Sequence, residues 1–355
     1  MKPTFVLTLI VVLLAIAFPL GVLISAQSPT SAPKKDRATG GPDHEIQASD
    51  YRLSGPYTHQ NLTIFLLHGK NLVDGKIPLT LQEALEQKKV VVYETKDVNN
   101  LSIENLSNED VYVQSGDIVK GGQQDRLLAV DLIVPPKSGK IPIAAFCVEQ
   151  GRWSKRGNEQ AASFSTSADA APTKEIKLAA KRSKSQTGVW NNVTATQERL
   201  SDNISAPVVA AESPSSLQLA VENRKVQETV SAYTKELEKI VVGKADVIGY
   251  AFSINGEINS ADVYASNGLF LKLWPKLLKA NAVEAIAALR KDSKFEPPTL
   301  ENVKEFLAQA EAGQSAEKEV TARIKLLTRE DEKNIMFETR DRSRSAWIHR
   351  NYIKK

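Results

Sequence analysis

Between Asn61 and Trp153 the chain is cut into short apolar runs separated by turn residues, and this pattern limits the fold more than any other. "LTIFLLHG", "VVVYE", "LSIENL", "VYVQ", "RLLAVDLIV" and "IPIAAFCVE" are short for core helices and rich in Val, Ile and Leu. The turn "SNED" joins "LSIENL" to "VYVQ", and the loop "PPKSGK" joins the last two runs, so two hairpins are expected. One short helix interrupts them at "TLQEALEQ", where Thr80 and Glu83 stand at the capping-box spacing. Many short strands with turns between them predict a β-rich, sandwich or barrel-like first domain over residues 53–153.

Composition changes after Trp153. Residues 154–213 are dominated by Ser, Ala, Thr and Lys and read as a polar linker, with a surface helix at "KSQTGVWNNVTATQERL". An αβ domain is expected over 214–355. Its first helix has Ser213 as cap, Pro214 at the first helical position and Gly243 as stop, with an apolar stripe at Val226, Val230, Tyr233, Leu237 and Ile240. "DVIGYAFSI" and "INSADVYA" flank Asn255-Gly256, the usual type I′ pair of a hairpin. The apolar helix that follows should break or kink at Pro275. A last helix runs from Thr299 as cap to Gly313 as stop, and "EVTARIKLLT", "NIMFET" and "SAWIHRNYI" close the domain as strands. The fold class expected is α+β, with an N-terminal hydrophobic helix.

That helix is the uncharged, mostly apolar run from Phe5 to Ile24, close to the about 20 residues that span a bilayer core. Residues 1–26 therefore read as a signal peptide or membrane anchor, and 27–52, rich in Ser, Pro, Gly and charge, as a flexible tether, with order beginning near Leu53. The rest of the chain is expected outside the cytoplasmic membrane, exported or anchored. Five Asn-x-Ser/Thr sequons matter only in a source that glycosylates. The single Cys147 excludes an intrachain disulfide, and four histidines with no HxxxH pair leave little from which to build a metal site. A net charge of +4 over 355 residues gives no argument for specific nucleic-acid binding. The basic C-terminal stretch around Trp347 and Tyr352 reads as an ordinary strand and tail, with His349 at the surface. "SGDIVKGG" lacks the Lys-Ser/Thr ending of a phosphate loop, and no cofactor is expected.

One place in the β domain gathers chemistry. If Val134 faces Ile141, antiparallel pairing sets Leu128 opposite Cys147 and Arg126 opposite Glu149. The shared face is then apolar up to a final rung that carries an opposite-charge pair. A two-residue slip would separate that pair. Around the rung lie "GGQQDR" and "QGRW". Gly121, Gly122 and Gly151 allow turns whose amides can hold an anion; Gln124, Asp125 and Arg126 adjoin them, and Arg152 offers a fork for carboxylate or phosphate. Trp153 offers a stacking face. Two readings follow: an anion site built from these residues with Glu149 orienting an arginine, or an ion pair that only locks the hairpin. Cys147, mid-strand among apolar residues, reads as an inert thiol. Glu94 ends a strand and reads as solvated, with the Glu149 cluster as the other place for it.

These blocks carry a resemblance. "SGDIVKGGQQDR", "CVEQGRW", and much later "IGYAFSINGEINSADVYAS" with "LFLKLWPKLL" resemble the domain family named for its association with ADP-ribosylglycohydrolases and rhodanese/phosphatase proteins, over roughly residues 60 to 350. Carried over residue by residue, its blocks fall on Gly121, Gly122, Gln124, Asp125, Arg126, Cys147, Glu149, Gly151, Arg152 and Trp153. The resemblance defines no reaction; the family's name points to ADP-ribose or nucleotide chemistry by association alone. The expected function is a noncatalytic binding module for an anionic ligand, of ADP-ribose or nucleotide type, or for a protein partner. The alternatives are a hydrolase of a phosphate- or sugar-linked substrate with Glu149 or Asp125 as general base, and a scaffold recognised through the helix from Pro214 to Val242.

Overall fold

The computed structural model describes the backbone of residues 45–48 and residues 50–355 apart from 74, 292 and 345. The expected signal peptide or anchor and the first part of the tether lie outside the described residues. The end of the tether does not: Glu45–Ala48 and the start of Tyr51–His59 are already strands.

The architecture is mixed α and β, as expected, with its strands in three sheets. The largest sheet has nine strands in the order Glu45–Ala48, Tyr51–His59, Leu62–His68, Val247–Ile254, Glu257–Tyr264, Ala346–Lys354, Asn334–Asp341, Ile324–Glu330 and Gln314–Glu319. Strands from both sides of the expected linker share this sheet. Leu62–His68 is buried along its whole length because it is covered on both faces, and all of it but Thr63 and His68 is apolar; it pairs with Val247–Ile254 across nearly two hundred intervening residues. The hairpin at Asn255-Gly256 forms as its chemistry requires, with positive φ at both turn residues.

A six-stranded sheet runs Phe164–Ala170, Asp117–Gly121, Arg126–Leu128, Lys140–Cys147, Asn100–Asn105 and Val90–Asp97. A three-stranded sheet holds Leu132–Val134, Val111–Val113 and Leu79–Thr80. Both expected hairpins are therefore corrected. Asn100–Asn105 and Val111–Val113 lie in different sheets, and so do Arg126–Leu128 and Leu132–Val134. The second break has a clear cause. Asp131 sits inside "RLLAVDLIV", and its carboxylate is buried, where it must be hydrogen-bonded. It accepts the Ser115 N–H at 2.7 Å and the Thr339 hydroxyl at 2.7 Å, which turns the chain out of the first sheet into the second.

The polar segment after Trp153 is not a bare linker. It supplies the edge strand Phe164–Ala170 and the helices Lys174–Lys181 and Gln186–Ile204, the latter burying Val189, Val193 and Leu200. The helix expected from Pro214 is two helices, Leu217–Val221 and Arg224–Leu237, capped by Ser216 and Asn223. Ser213 does not cap. The stripe Val226, Val230, Tyr233, Leu237 is buried as expected. The helix Asn267–Ala288 continues through Pro275, and Leu300–Ala312 has the Thr299 cap and ends before Gly313. Among the described residues no helix is long and apolar enough to cross a membrane.

Candidate functional site

The register around the expected rung is slipped by two residues. Ala145 faces Leu128 and Cys147 faces Arg126, so the Arg126–Glu149 cross-strand pair does not form. The slip follows from the break at Asp131: without a continuous partner strand, the "PPKSGK" loop no longer sets the pairing, and the first part of Lys140–Cys147 pairs with Asn100–Asn105 instead. Arg126 turns to the Gln124 carbonyl and side-chain oxygen, both at 3.2 Å, and to Glu94 at 3.4 Å. Glu94 is not solvated; its side chain is buried and also accepts the Gln123 N–H at 3.1 Å.

The residues nevertheless converge. Glu149 and Asp125 are fully buried. Glu149 accepts the Asp125 N–H at 2.9 Å, Arg152 Nε at 2.6 Å and Arg156 Nη1 at 3.1 Å. Asp125 accepts the Gly121 N–H at 3.0 Å, both Nη atoms of Arg156 at 3.1 Å and the Ser216 hydroxyl at 3.2 Å. Arg152 spends its remaining donors on the carbonyls of Gly121, Gly122 and Ser154. The result is a latch of two carboxylates and two guanidiniums that pins the loops at 121–125 and 149–156 to the helix start at Ser216. Gly122 is obligatory here: its φ is +55°, and a Cβ would stand 2.4 Å from the Phe164 ring. Gly151 has φ +87° with open space around it, and Gln124 is wholly buried. Trp153 is 53% exposed, outside the latch and outside the core.

Burial pushes the Glu149 carboxyl up, but hydrogen bonds from Arg152, Ser213 and the Asp125 amide outweigh it and leave its pKa lowered. Burial and the neighbouring Glu149 charge win at Asp125, whose pKa is raised against the pull of Arg156. Burial pushes the Cys147 thiol up to about 11, in keeping with an inert, protonated side chain.

Sequence reasoning missed Arg156 and Ser216, which come from segments read as linker and helix interior. It also missed a second cluster altogether. His349 is buried, not at the surface. Its Nδ1 lies 2.8 Å from Asp131, its Nε2 lies 3.0 Å from Asp262, and its ring stacks on Tyr264 at 4.6 Å. Burial pushes this imidazole down, yet the two carboxylates overrule it and raise its pKa to about 9. At neutral pH it is an imidazolium with both N–H groups donated and no lone pair free for base catalysis. Part of the signal was present in the sequence: Asp131 interrupts the apolar run "RLLAVDLIV", and a buried carboxylate has to be paired or hydrogen-bonded.

Beside this cluster opens a cavity of about 470 Å³. Val130, Phe146, Leu326 and Phe337 give it apolar walls, and Asp131 and Thr339 line part of it. Three lysines reach it, Lys181, Lys184 and Lys318. Lys184 and Lys318 are exposed, and their side chains have no hydrogen-bond or ion-pair partner among the described residues. Lys181 donates to Asn351 Oδ1 at 2.8 Å and stands 4.4 Å from the centre of the Phe337 ring. Among the described residues no group of three or more His, Cys, Asp or Glu could hold a metal ion.

Comparison with curated proteins and with solved structures finds no match. A family model does match, over residues 50–353, from the start of Tyr51–His59 to all but the final residue of Ala346–Lys354. The chain belongs to the ARG and Rhodanese-Phosphatase-superfamily-associated Protein domain family.

Proposed function

We propose that this domain is a noncatalytic binding module for an anionic small molecule with an apolar or aromatic body, of ADP-ribose or nucleotide type, carried by a chain that is exported or tethered to a membrane through Phe5–Ile24. The cavity beside Asp131 carries the reading. A hollow of about 470 Å³ with apolar walls and a few convergent polar groups is the usual form of a small-molecule site. Among the described residues its two exposed lysines have no carboxylate partner, so the charge they offer is complementary to an anion. The latch is the other place where an anion was expected, through Gly121, Gly122, Gln124, Asp125, Arg126, Glu149, Gly151, Arg152 and Trp153. There the Arg152 donors are already bonded to Glu149 and to backbone carbonyls, so a ligand would have to displace them.

Calorimetric titration with ADP-ribose, AMP and ribose phosphate tests both. Binding should weaken by about tenfold or more, roughly 1.4 kcal/mol, in the double variant Lys184→Glu, Lys318→Glu. Loss of binding in a folded Arg152→Ala variant, with the lysine variant unaffected, would move the site to the latch. If the intact protein binds none of these anions, the reading fails.

The hydrolase reading has one observation in its favour. Asp125 and Glu149 adjoin one another with pKa values displaced in opposite directions, the pattern of an acid–base pair. Turnover of a phosphodiester or glycoside panel, abolished in a folded Glu149→Gln variant, would favour it over binding alone.

A further inference from the structure

Lys181, which is half-buried, differs from Lys276 and Lys279 in what holds it. Lys276 is paired directly with Asp117 at 2.8 Å, and Lys279 with Asp169 at 2.7 Å. The Lys181 amine instead has a neutral acceptor, Asn351 Oδ1, and the face of Phe337. No carboxylate lies within ion-pair distance of it among the described residues. It nevertheless forms part of the wall of the cavity that the preceding reading assigns to the ligand.

We infer that Lys181 is a nucleophilic amine in this cavity and takes the aldehyde or ketone of an anionic ligand as an imine. The inference rests on the preceding reading for its anion and on the placement of this one side chain for its chemistry. The charged groups that act on Lys181 are Asp131, Asp262 and Lys177. Burial lowers its pKa, the two carboxylates pull upward, and Lys177 adds a further downward push; the outcome is a lowered pKa. More of the amine is therefore neutral near pH 7 than in an exposed lysine, which is the form that attacks a carbonyl.

The step balances without an oxidant or reductant. The Nζ lone pair forms a bond to the carbonyl carbon, and the carbonyl π pair moves to oxygen. One proton passes from nitrogen to that oxygen to give the carbinolamine; the nitrogen lone pair then forms the C=N bond as the C–O bond breaks, and the second nitrogen proton leaves with the hydroxyl as water. One amine and one carbonyl give one imine and one water. The imine nitrogen, once protonated, keeps the places the ammonium now has, over Phe337 and in the field of Asp131 and Asp262. Lys184 and Lys318, which also line the cavity, are left to meet the anionic end of the ligand.

The test uses glyceraldehyde 3-phosphate, an anion with a carbonyl, and glycerol 3-phosphate, an anion without one. The intact protein is mixed with the aldehyde near pH 7 and reduced with cyanoborohydride, and modified lysines are mapped by peptide mass spectrometry. Lys181 should carry most of the adduct, above Lys184 and Lys318 although both are more exposed, since its amine lies in the cavity wall with no carboxylate paired to it. Glycerol 3-phosphate should compete, and a Lys181→Arg variant should lose the adduct. Because mapping is done on the unaltered chain, it does not depend on the variant folding. Modification spread over lysines in proportion to exposure overturns the inference. If glycerol 3-phosphate binds through Lys184 and Lys318 while Lys181 stays unmodified, the imine is wrong and the anion reading stands. If propanal labels Lys181 selectively and neither phosphate binds, the amine is reactive as inferred and the anion reading is what fails.

Discussion

The latch around Glu149 and the cluster around His349 solve the same problem in different ways. Both bury two carboxylates. In the latch the carboxylates are answered by two arginines; Arg152 also holds the carbonyls of Gly121, Gly122 and Ser154, and the two carboxylates themselves accept the Gly121 and Asp125 amides, so most of the charge is used to hold backbone. In the second cluster one imidazolium bridges both carboxylates. The lysines nearby are left without a direct carboxylate and face a cavity. The comparison teaches that convergence of charged residues does not by itself mark a site. What matters is whether donors remain once the protein has satisfied its own buried groups.

The largest expected effect breaks the latch. Glu149→Ala takes from Arg152 its main partner and from Arg156 one of its three carboxylates in a buried place, and should cost about 3–5 kcal/mol. Urea unfolding at pH 7 measures it; a cost below about 1 kcal/mol would mean that the latch is solvated and open in solution.

The second effect separates the two clusters by pH. The arginines of the latch do not titrate in the accessible range, whereas His349 does. Its folded-state pKa is raised from 6.5 to about 9. The stabilisation it gives is therefore complete below pH 6.5 and is lost as pH rises through about 9. The loss should come to roughly 3 kcal/mol, read as a falling urea midpoint between pH 6 and pH 10. His349→Asn should be less stable at pH 6 and should flatten that dependence. An unchanged pH profile in the variant would show that His349 is neutral in the fold.

Much of the framework was legible, and the reasons it was legible are local. Thr80 with Glu83, Asn255 with Gly256, and Thr299 before an apolar run each act over three or four residues, so their chemistry is written in order along the chain. The convergence of the glycine turns with Asp125, Glu149 and Arg152 was also visible, because these residues come from two adjoining loops. The pairing of Arg126 with Glu149 was not, because register across a hairpin depends on whether the partner strand is continuous, and Asp131 interrupts it through bonds to Ser115 and Thr339, the latter 208 positions away. Arg156 and Ser216 were hidden for the same reason: each acts on Asp125 from a segment whose own composition says only that it is polar.

Two glycines of the latch sharpen the comparison further. Gly122 and Gly151 both have positive φ, so any side chain is strained at either position. Only at Gly122 does a methyl also meet a ring, 2.4 Å from Phe164, and a Glu94 oxygen at 2.9 Å. Gly122→Ala should cost about 2–4 kcal/mol, and Gly151→Ala about 1–2 kcal/mol, by the backbone term alone. Equal losses at the two positions would mean that the Phe164 strand, an edge strand of its sheet, moves aside freely.

The smallest expected effect belongs to Trp153, and it decides most sharply whether the latch is anything besides a latch. The ring is half exposed beside Arg152, and nothing in the core needs it. Trp153→Ala should change stability by less than about 0.5 kcal/mol, as for other surface positions. With the fold unaffected, the variant becomes a clean probe of binding. If AMP or ADP-ribose binds the cavity beside Asp131, affinity in Trp153→Ala stays at the wild-type value. A drop of about tenfold, measured in the same titration, would show that a base stacks on this indole, and would return the ligand to the latch despite its occupied arginines.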